Sequence, residues 1–304
     1  MTLSRRDFGK LAAAALPAAA LGAKPDSKFN GVQIGAITYS FRELPGGAAE
    51  TLQYSLECGL SAIEVMSGVP ESYAGAPAPP PRGADAEARR RAADEVSRWR
   101  LSVPMGKYKA VRRMYEDAGV KIYALNLAPN LRMPDAEYEY IWNLAETLGA
   151  NHIVMELPTD DKLLERVAAY AAQRKLAIAF HTHGQGGSSQ FDKVLAASPY
   201  TALNFDVGHH FGVNGDSPVP VMEKYHARIA SLHLKDRKAP EGGRGGANMP
   251  WGEGQTPLKE VLQSMRRNRY RFPASIEYEY RTPEGSGVLA EVKKCVEYCR
   301  RALA

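Results

Sequence analysis

Little in this chain of 304 residues invites thiolate chemistry, membrane insertion or phosphate cradling. Its three cysteines, Cys58, Cys295 and Cys299, form no C-x2-C pair, so a thiolate zinc site is excluded. The longest apolar run, residues 11–21, is too short to cross a bilayer. The glycines of the stretch 236–255 follow neither GxGxxG nor P-loop spacing. No group of basic residues gathers where a sugar phosphate would need them, so an unphosphorylated substrate is expected. Nor is there a large charge surplus, since 39 Lys and Arg face 34 Asp and Glu for a formal net charge of +5. The arginines group at Arg89 to Arg91, Arg98, Arg100, Arg266, Arg267 and Arg269, inside helix-patterned stretches. Solvated helix faces explain them, and nucleic acid is not expected as a partner. What the chain does have is 44% hydrophobic residues with 24% charged ones, enough to bury a sizeable core.

The first two dozen residues stand apart. Ser4-Arg5-Arg6-Asp7-Phe8 precedes the Ala- and Leu-rich run 11–21, and this pairing resembles a twin-arginine export signal. Residues 1–23 therefore read as a targeting segment and 24–304 as the working domain. The twin-arginine machinery is the expected partner of the precursor, and the periplasm its destination. No cysteine follows the segment, so no lipid anchor and no stable membrane attachment are expected. In that oxidising compartment Cys58 has two prospective disulfide partners, Cys295 and Cys299, with three buried thiols as the alternative.

Eight short apolar stretches alternate with helix-patterned ones, at 32–40, 62–66, 121–127, 152–157, 177–183, 202–208, 228–234 and 273–280. Each is rich in Val, Ile, Leu, Phe or Tyr, as strands buried beneath helices are. Eight such repeats predict one (β/α)8 TIM barrel rather than an open sheet. Helices are expected over 47–58, 84–99, 106–118, 135–148, 159–172, 190–197, 257–265 and 283–302. Gly149 should end one of them, and Thr256 followed by Pro257 should cap another. Two long connections follow strand ends, the Pro-rich 75–82 and the Gly-rich 236–255, and both are expected to act as lids. Trp251 in the second is expected to wall the site over a sugar, or else to pack on the barrel rim. Trp99, Tyr138, Tyr140 and Trp142 fit core packing and a partner surface equally well.

The polar residues then sort themselves. Six of the seven histidines lie from residue 181 onward. His181 and His183 end the fifth strand, His209 and His210 follow the sixth, and His233 lies near the end of the seventh. Glu64, Glu156, Asp206, Glu277 and Glu279 join them on the second, fourth, sixth and eighth strands. Strand C-termini in such a barrel converge on one site. Burying that many charges without partners would cost several kcal/mol each. One divalent ion offsets the cost, and mixed imidazole and carboxylate donors suit Mn2+, Zn2+, Fe2+ or Co2+. A hydrogen-bonded polar lining without metal is the alternative.

Four segments carry a family resemblance: Phe205-Asp206-Val207-Gly208-His209, His233-Leu234-Lys235-Asp236, Trp251-Gly252-Glu253-Gly254 and Ser275-Ile276-Glu277-Tyr278-Glu279. Together they resemble the xylose isomerase-like barrels, which include ketose 3-epimerases, inosose dehydratases and endonuclease IV. The resemblance implies a divalent ion held by Asp206, His233 and Glu277, with Glu279 the fallback on the last strand. A fourth ligand, a Glu on the fifth strand in the epimerases, is His181 here. It further implies a sugar or cyclitol isomerase or epimerase working through an enediolate on a small carbohydrate. Glu156, His183, Lys235 and Glu279 are the expected catalytic groups, and Glu64, His209 and Trp251 the expected substrate contacts. Because the two-base arrangement of the epimerases uses the Glu that is replaced, a lyase or dehydratase acting on a 3-keto glycoside or inosose is the alternative. A non-catalytic periplasmic carbohydrate-binding barrel is a further one. Similar barrels form homo-oligomers, and no residue here announces an interface. Endonuclease IV uses more metal ligands than this chain supplies.

Overall fold

The computed structural model describes residues 24–81, 83–184 and 187–304. The targeting segment expected over 1–23 lies outside the described residues. Eight parallel strands are present: β1 Val32–Ile37, β2 Ala62–Met66, β3 Lys121–Asn126, β4 His152–Glu156, β5 Ala177–His181, β6 Thr201–Asp206, β7 Ile229–Leu234 and β8 Ala274–Ile276. Each pairs with the next, and β8 pairs back onto β1, so the sheet closes as the eightfold repeat predicts. Around it run α1 Ala48–Glu57, α2 Gly68–Ala74, α3 Ala86–Arg100, α4 Gly106–Asp117, α5 Asp135–Leu148, α6 Asp161–Arg174, α7 Ser188–Ala196, α8 Val207–Asn214, α9 Val219–Tyr225, α10 Leu258–Asn268 and α11 Val288–Leu303. Among the described residues no helix is long and apolar enough to cross a membrane.

Strand alternation sorts side chains into two populations. Ile63, Ile153, Ile178, Phe180, Leu203, Phe205 and Leu232 face the helices and join the large core. Ala62, Tyr123, Val154, Ala179 and Ala202 form a small separate cluster inside the barrel. These interior residues are small because Tyr123 needs the space. A Cβ on Gly35 would stand 2.9 Å from its ring, so β1 must present a glycine there. Above this apolar floor the inward positions turn polar, and that upper layer builds the site.

Several expectations need revising. α2, α8 and α9 were not foreseen; in α8 two glycines and a lone pair of histidines hide the helical period. Gly149 ends α5 in the left-handed region at φ 77°, as expected. Thr256 does not cap α10: its hydroxyl accepts the Arg237 N–H at 3.0 Å, and Pro257 occupies the cap position itself. The three cysteines are free and buried, so no disulfide forms. α1 does adjoin α11, through Lys293 and Glu57 at 2.8 Å, but the Cys58 thiol points at the Leu289 carbonyl instead of at either late cysteine. Burial pushes the Cys58 thiol up to about 12, which leaves it unreactive. Tyr138, Tyr140 and Trp142 are all core residues.

The helix after the Pro-rich connection and the 236–255 connection are both tethered. α3 buries none of its own residues, yet Arg100 at its end bonds Glu71 of α2 at 2.7 Å and Glu137 of α5 at 2.8 Å. Breaking such a buried triad leaves an unpaired charge and costs about 3–5 kcal/mol, which ties α3 to the flank of the barrel. The 236–255 connection folds back as a short hairpin, Asp236–Arg237 against Asn248–Met249. Asp236 accepts the N–H groups of Gly252, Gly254 and Thr256 at 2.8, 3.0 and 3.1 Å and so stitches both ends of the segment together. Trp251 packs edge-on against Tyr298 of α11, which matches the packing alternative.

Candidate metal centre

Parallel register does most of the assembly. Glu156 is paired with His181, His181 with Asn204, and Asp206 with His233, so four strand ends line up side by side. His181, Asp206, His233 and Glu277 are all buried, and one donor atom from each lies within 4.8 Å of the others. These are the four residues that the sequence proposes as ligands. Glu279 is set apart from them, with its carboxylate on Lys235 at 2.6 Å, so Glu277 is the last-strand residue that joins the cluster.

Asp206 owes its aim to being both the last residue of β6 and the N-cap of α8. Its Oδ1 accepts the His209 N–H at 2.7 Å, which leaves Oδ2 as the atom turned to the cluster. That Oδ2 is buried with no hydrogen bond. The Lys235 ammonium stands 3.1 Å from it, an ion-pair distance without hydrogen-bond alignment. A buried carboxylate oxygen left so, within reach of two imidazoles and a second carboxylate, is what a divalent cation would satisfy. Gly208 lets the first turn of α8 sit directly on Lys235, since a Cβ there would overlap the Lys235 side chain and carbonyl.

Charge in this layer is tightly compensated. Lys235 is fully buried and its ammonium lies 2.9 Å from Glu277 and 2.6 Å from Glu279. Burial disfavours that charge, but Asp206, Glu277 and Glu279 outweigh it and raise the lysine pKa. His233 donates from Nδ1 to Glu277 at 2.7 Å and from Nε2 to Glu64 at 2.9 Å. Burial pulls against protonation there too, and the two carboxylates override it, holding His233 well above the ordinary imidazole value. Burial would likewise raise Glu277 and Asp206, but Lys235 above all keeps both carboxyls below their usual range. His181 has no comparable partner, and burial together with the His233 charge lowers it. Were a cation bound, Glu64 would retain the Nε2 proton and Nδ1 would be the His233 nitrogen offered to it.

The other expected residues divide into two groups. His183 lies at the rim, half-exposed, with Nδ1 on the Glu156 carboxylate at 2.7 Å. That hydrogen bond raises the His183 pKa despite partial burial. Its ring stands 4.6 Å from that of His181 and 4.5 Å from that of His209. His209 lies between two cations, Lys235 at 2.9 Å and Arg237 at 2.7 Å, and burial lowers it to about 4. His181, His183 and His209 also gather within 4.8 Å. They share His181 with the first cluster and include no carboxylate. Glu64, expected to touch substrate, is fully buried behind His233, with Asn126 at 3.3 Å on its other oxygen.

Sequence reasoning missed Asn204, Ser231, His152 and Tyr123, which fill the interior beneath the ligands. His181 Nδ1 meets Asn204 Oδ1 at 2.7 Å, and the Asn204 amide reaches Ser231 at 2.7 Å and Glu64 at 3.4 Å. Ser231 meets His152 at 3.0 Å. The inward alternation Ala202, Asn204, Asp206 on β6 was the available signal.

Fold and cluster together define a (β/α)8 barrel with a His/Asp/Glu site suited to one divalent cation. The chain belongs to the Xylose isomerase-like TIM barrel family, whose profile matches residues 52–299. Among curated proteins it is similar to an inosose dehydratase of Clostridium botulinum, 28% identical over 135 residues. That match spans 38% of this chain and 45% of the relative, less than half of its length. Solved structures with the same fold include a xylose isomerase domain protein from Planctomyces limnophilus, with a TM-score of 0.64 at 14% identity over 89% of this chain and 96% of that one. The probable 3-DHS dehydratase AsbF, involved in petrobactin synthesis in Bacillus anthracis, has a TM-score of 0.62 at 15% identity over 88% and 98%. At these identities the structural likeness speaks for the fold alone.

Proposed function

We propose that the protein is a divalent-metal-dependent lyase that removes water from a keto-cyclitol or keto-sugar. The observation that carries the reading is the pairing of His181 with Asn204. A two-base epimerase needs an acid–base group on each face of the reacting carbon, and the strand-five group here is a buried imidazole whose Nδ1 is committed to an amide. That leaves one acid–base unit at the rim, His183 held by Glu156. One such unit suffices for syn elimination. His183 takes the proton alpha to the carbonyl and returns it to the beta hydroxyl, so that a C–H and a C–O bond break, a C=C bond forms and water leaves. The Lys235 ammonium faces the negative charge that builds on the carbonyl oxygen. Asp206, Glu277, His181 and His233 would hold the ion, which when bound supplies Lewis acidity for the carbonyl. The inosose dehydratase among the similar curated proteins supports elimination over the isomerisation that the sequence first suggests.

Mass spectrometry and NMR of an inosose incubated with the metal-loaded protein in D2O test this. Loss of one water with growth of an enone absorbance is expected. An isomer of unchanged formula that has gained deuterium would return the reading to an epimerase. No turnover of inososes or 3-keto glycosides, with metal bound, would leave a carbohydrate-binding barrel. Export to the periplasm is proposed on Ser4 to Phe8 and the run after them, and N-terminal sequencing of the exported chain would check for cleavage near residue 23.

A further inference from the structure

We infer that Asn204 is a positioning residue that sets which nitrogen His181 turns to the cluster. The inference rests on the metal-centre reading given above and concerns the interior layer beneath it. Three acceptors and donors determine the amide's orientation. Glu64 Oε2 already lies 2.9 Å from His233 Nε2 as that ring's acceptor, so the Asn204 edge 3.4 Å from the same oxygen is the NH2 group. The same NH2 group donates to Ser231 Oγ at 2.7 Å. The carbonyl Oδ1 is thereby turned to His181, and the ring nitrogen 2.7 Å from it, Nδ1, must carry the proton. His181 Nε2, 4.0 Å from Asp206 Oδ2, is left with the lone pair. Turned over, the amide would set its oxygen against the Glu64 carboxylate and its NH2 against the ring.

Glu64 performs the matching task for His233. Its Oε2 receives both the Asn204 amide and His233 Nε2, the latter at 2.9 Å, so Nδ1 is the nitrogen facing Glu277. One buried amide and one buried carboxylate, joined to each other, thus fix both rings. Local backbone supports the assignment. Opposite the Ile63–Glu64 step the pairing with β3 skips Tyr123, and opposite the Leu203–Asn204 step the pairing with β7 skips Ala230, so an extra residue on the neighbouring strand lies beside each holding residue. Such irregularities re-aim a side chain at the expense of regular pairing. Asn204 and Glu64 are both fully buried, so neither contacts substrate.

Selective 15N-histidine labelling of the full chain, with His181 assigned by His181→Gln, reads the tautomer directly. The parent should show His181 protonated at Nδ1 and bare at Nε2, before and after Zn2+ is added. Asn204→Ala should lose that preference and bind Zn2+ about 10–100-fold more weakly in a chelator competition, the range for removing a group that orients a ligand. A parent His181 protonated at Nε2 would overturn the inference, as would Asn204→Ala with Zn2+ affinity within about threefold of the parent. Should Asn204→Ala fail to fold, the parent spectrum still decides. If the parent takes up no Zn2+, the metal reading fails while the tautomer remains measurable.

Discussion

The Asp206→Ala protein is expected to lose at least about 100-fold in divalent-metal affinity, because removing a group that merely orients a ligand already costs about 10–100-fold. Its Oδ2 is the buried acceptor of the cluster that makes no hydrogen bond. Elemental analysis of protein purified without added metal checks this, set beside chelator competition with Zn2+. His233→Ala should behave alike, since its ring lies between Glu64 and Glu277 and no other imidazole reaches both. A parent with metal and an Asp206→Ala variant with equal content would place the ion elsewhere. A metal-free parent, with both variants folded, would favour a hydrogen-bonded sugar site. Loss of fold is a separate outcome, read by circular dichroism: without Asp206 the buried Lys235 loses one of three carboxylate partners but keeps Glu277 and Glu279.

The barrel and the candidate cluster were legible for one physical reason. Strands sheathed by helices must be apolar, so a polar residue within such a strand is conspicuous. His181, Asp206, His233 and Glu277 each interrupt an apolar stretch, and parallel register brings strand ends together whatever the intervening loops do. Glu64 was equally conspicuous, but its chemical type does not reveal whether it faces the cup or the floor beneath. Its partners settle that, since His233, Asn126 and Asn204 all close on its carboxylate, and nothing local encodes partners 62 to 169 residues away. Asn204 escaped notice because a neutral amide looks ordinary until its partners are known. The tethers of the long connections stayed hidden for a related cause. Gly and Pro mark turns without saying whether the turn is tethered, and the tethers here, Arg100 to Glu137 and Asp236 to Gly252, bridge 37 and 16 residues of sequence.

Replacing His183 by Gln is expected to lower kcat for elimination by about 10²–10⁴-fold, the usual contribution of a positioned general base. Metal content should stay at the parent level, because His183 lies outside the four-residue cluster. The two readouts together separate a base from a ligand. A variant that keeps its rate would sink the role, and one that loses metal would turn His183 into a ligand. The pH profile gives a sharper test. A base must be unprotonated to act, and the hydrogen bond to Glu156 raises the His183 pKa above the ordinary imidazole value. The rate should therefore fall as pH drops through that raised value and level off above it. Glu156→Gln removes the anion that stabilises the imidazolium, so the same step should shift to lower pH, while a plateau rate reduced about tenfold reflects a weaker base. A step that stays in place in Glu156→Gln would mean that the titrating group is not His183.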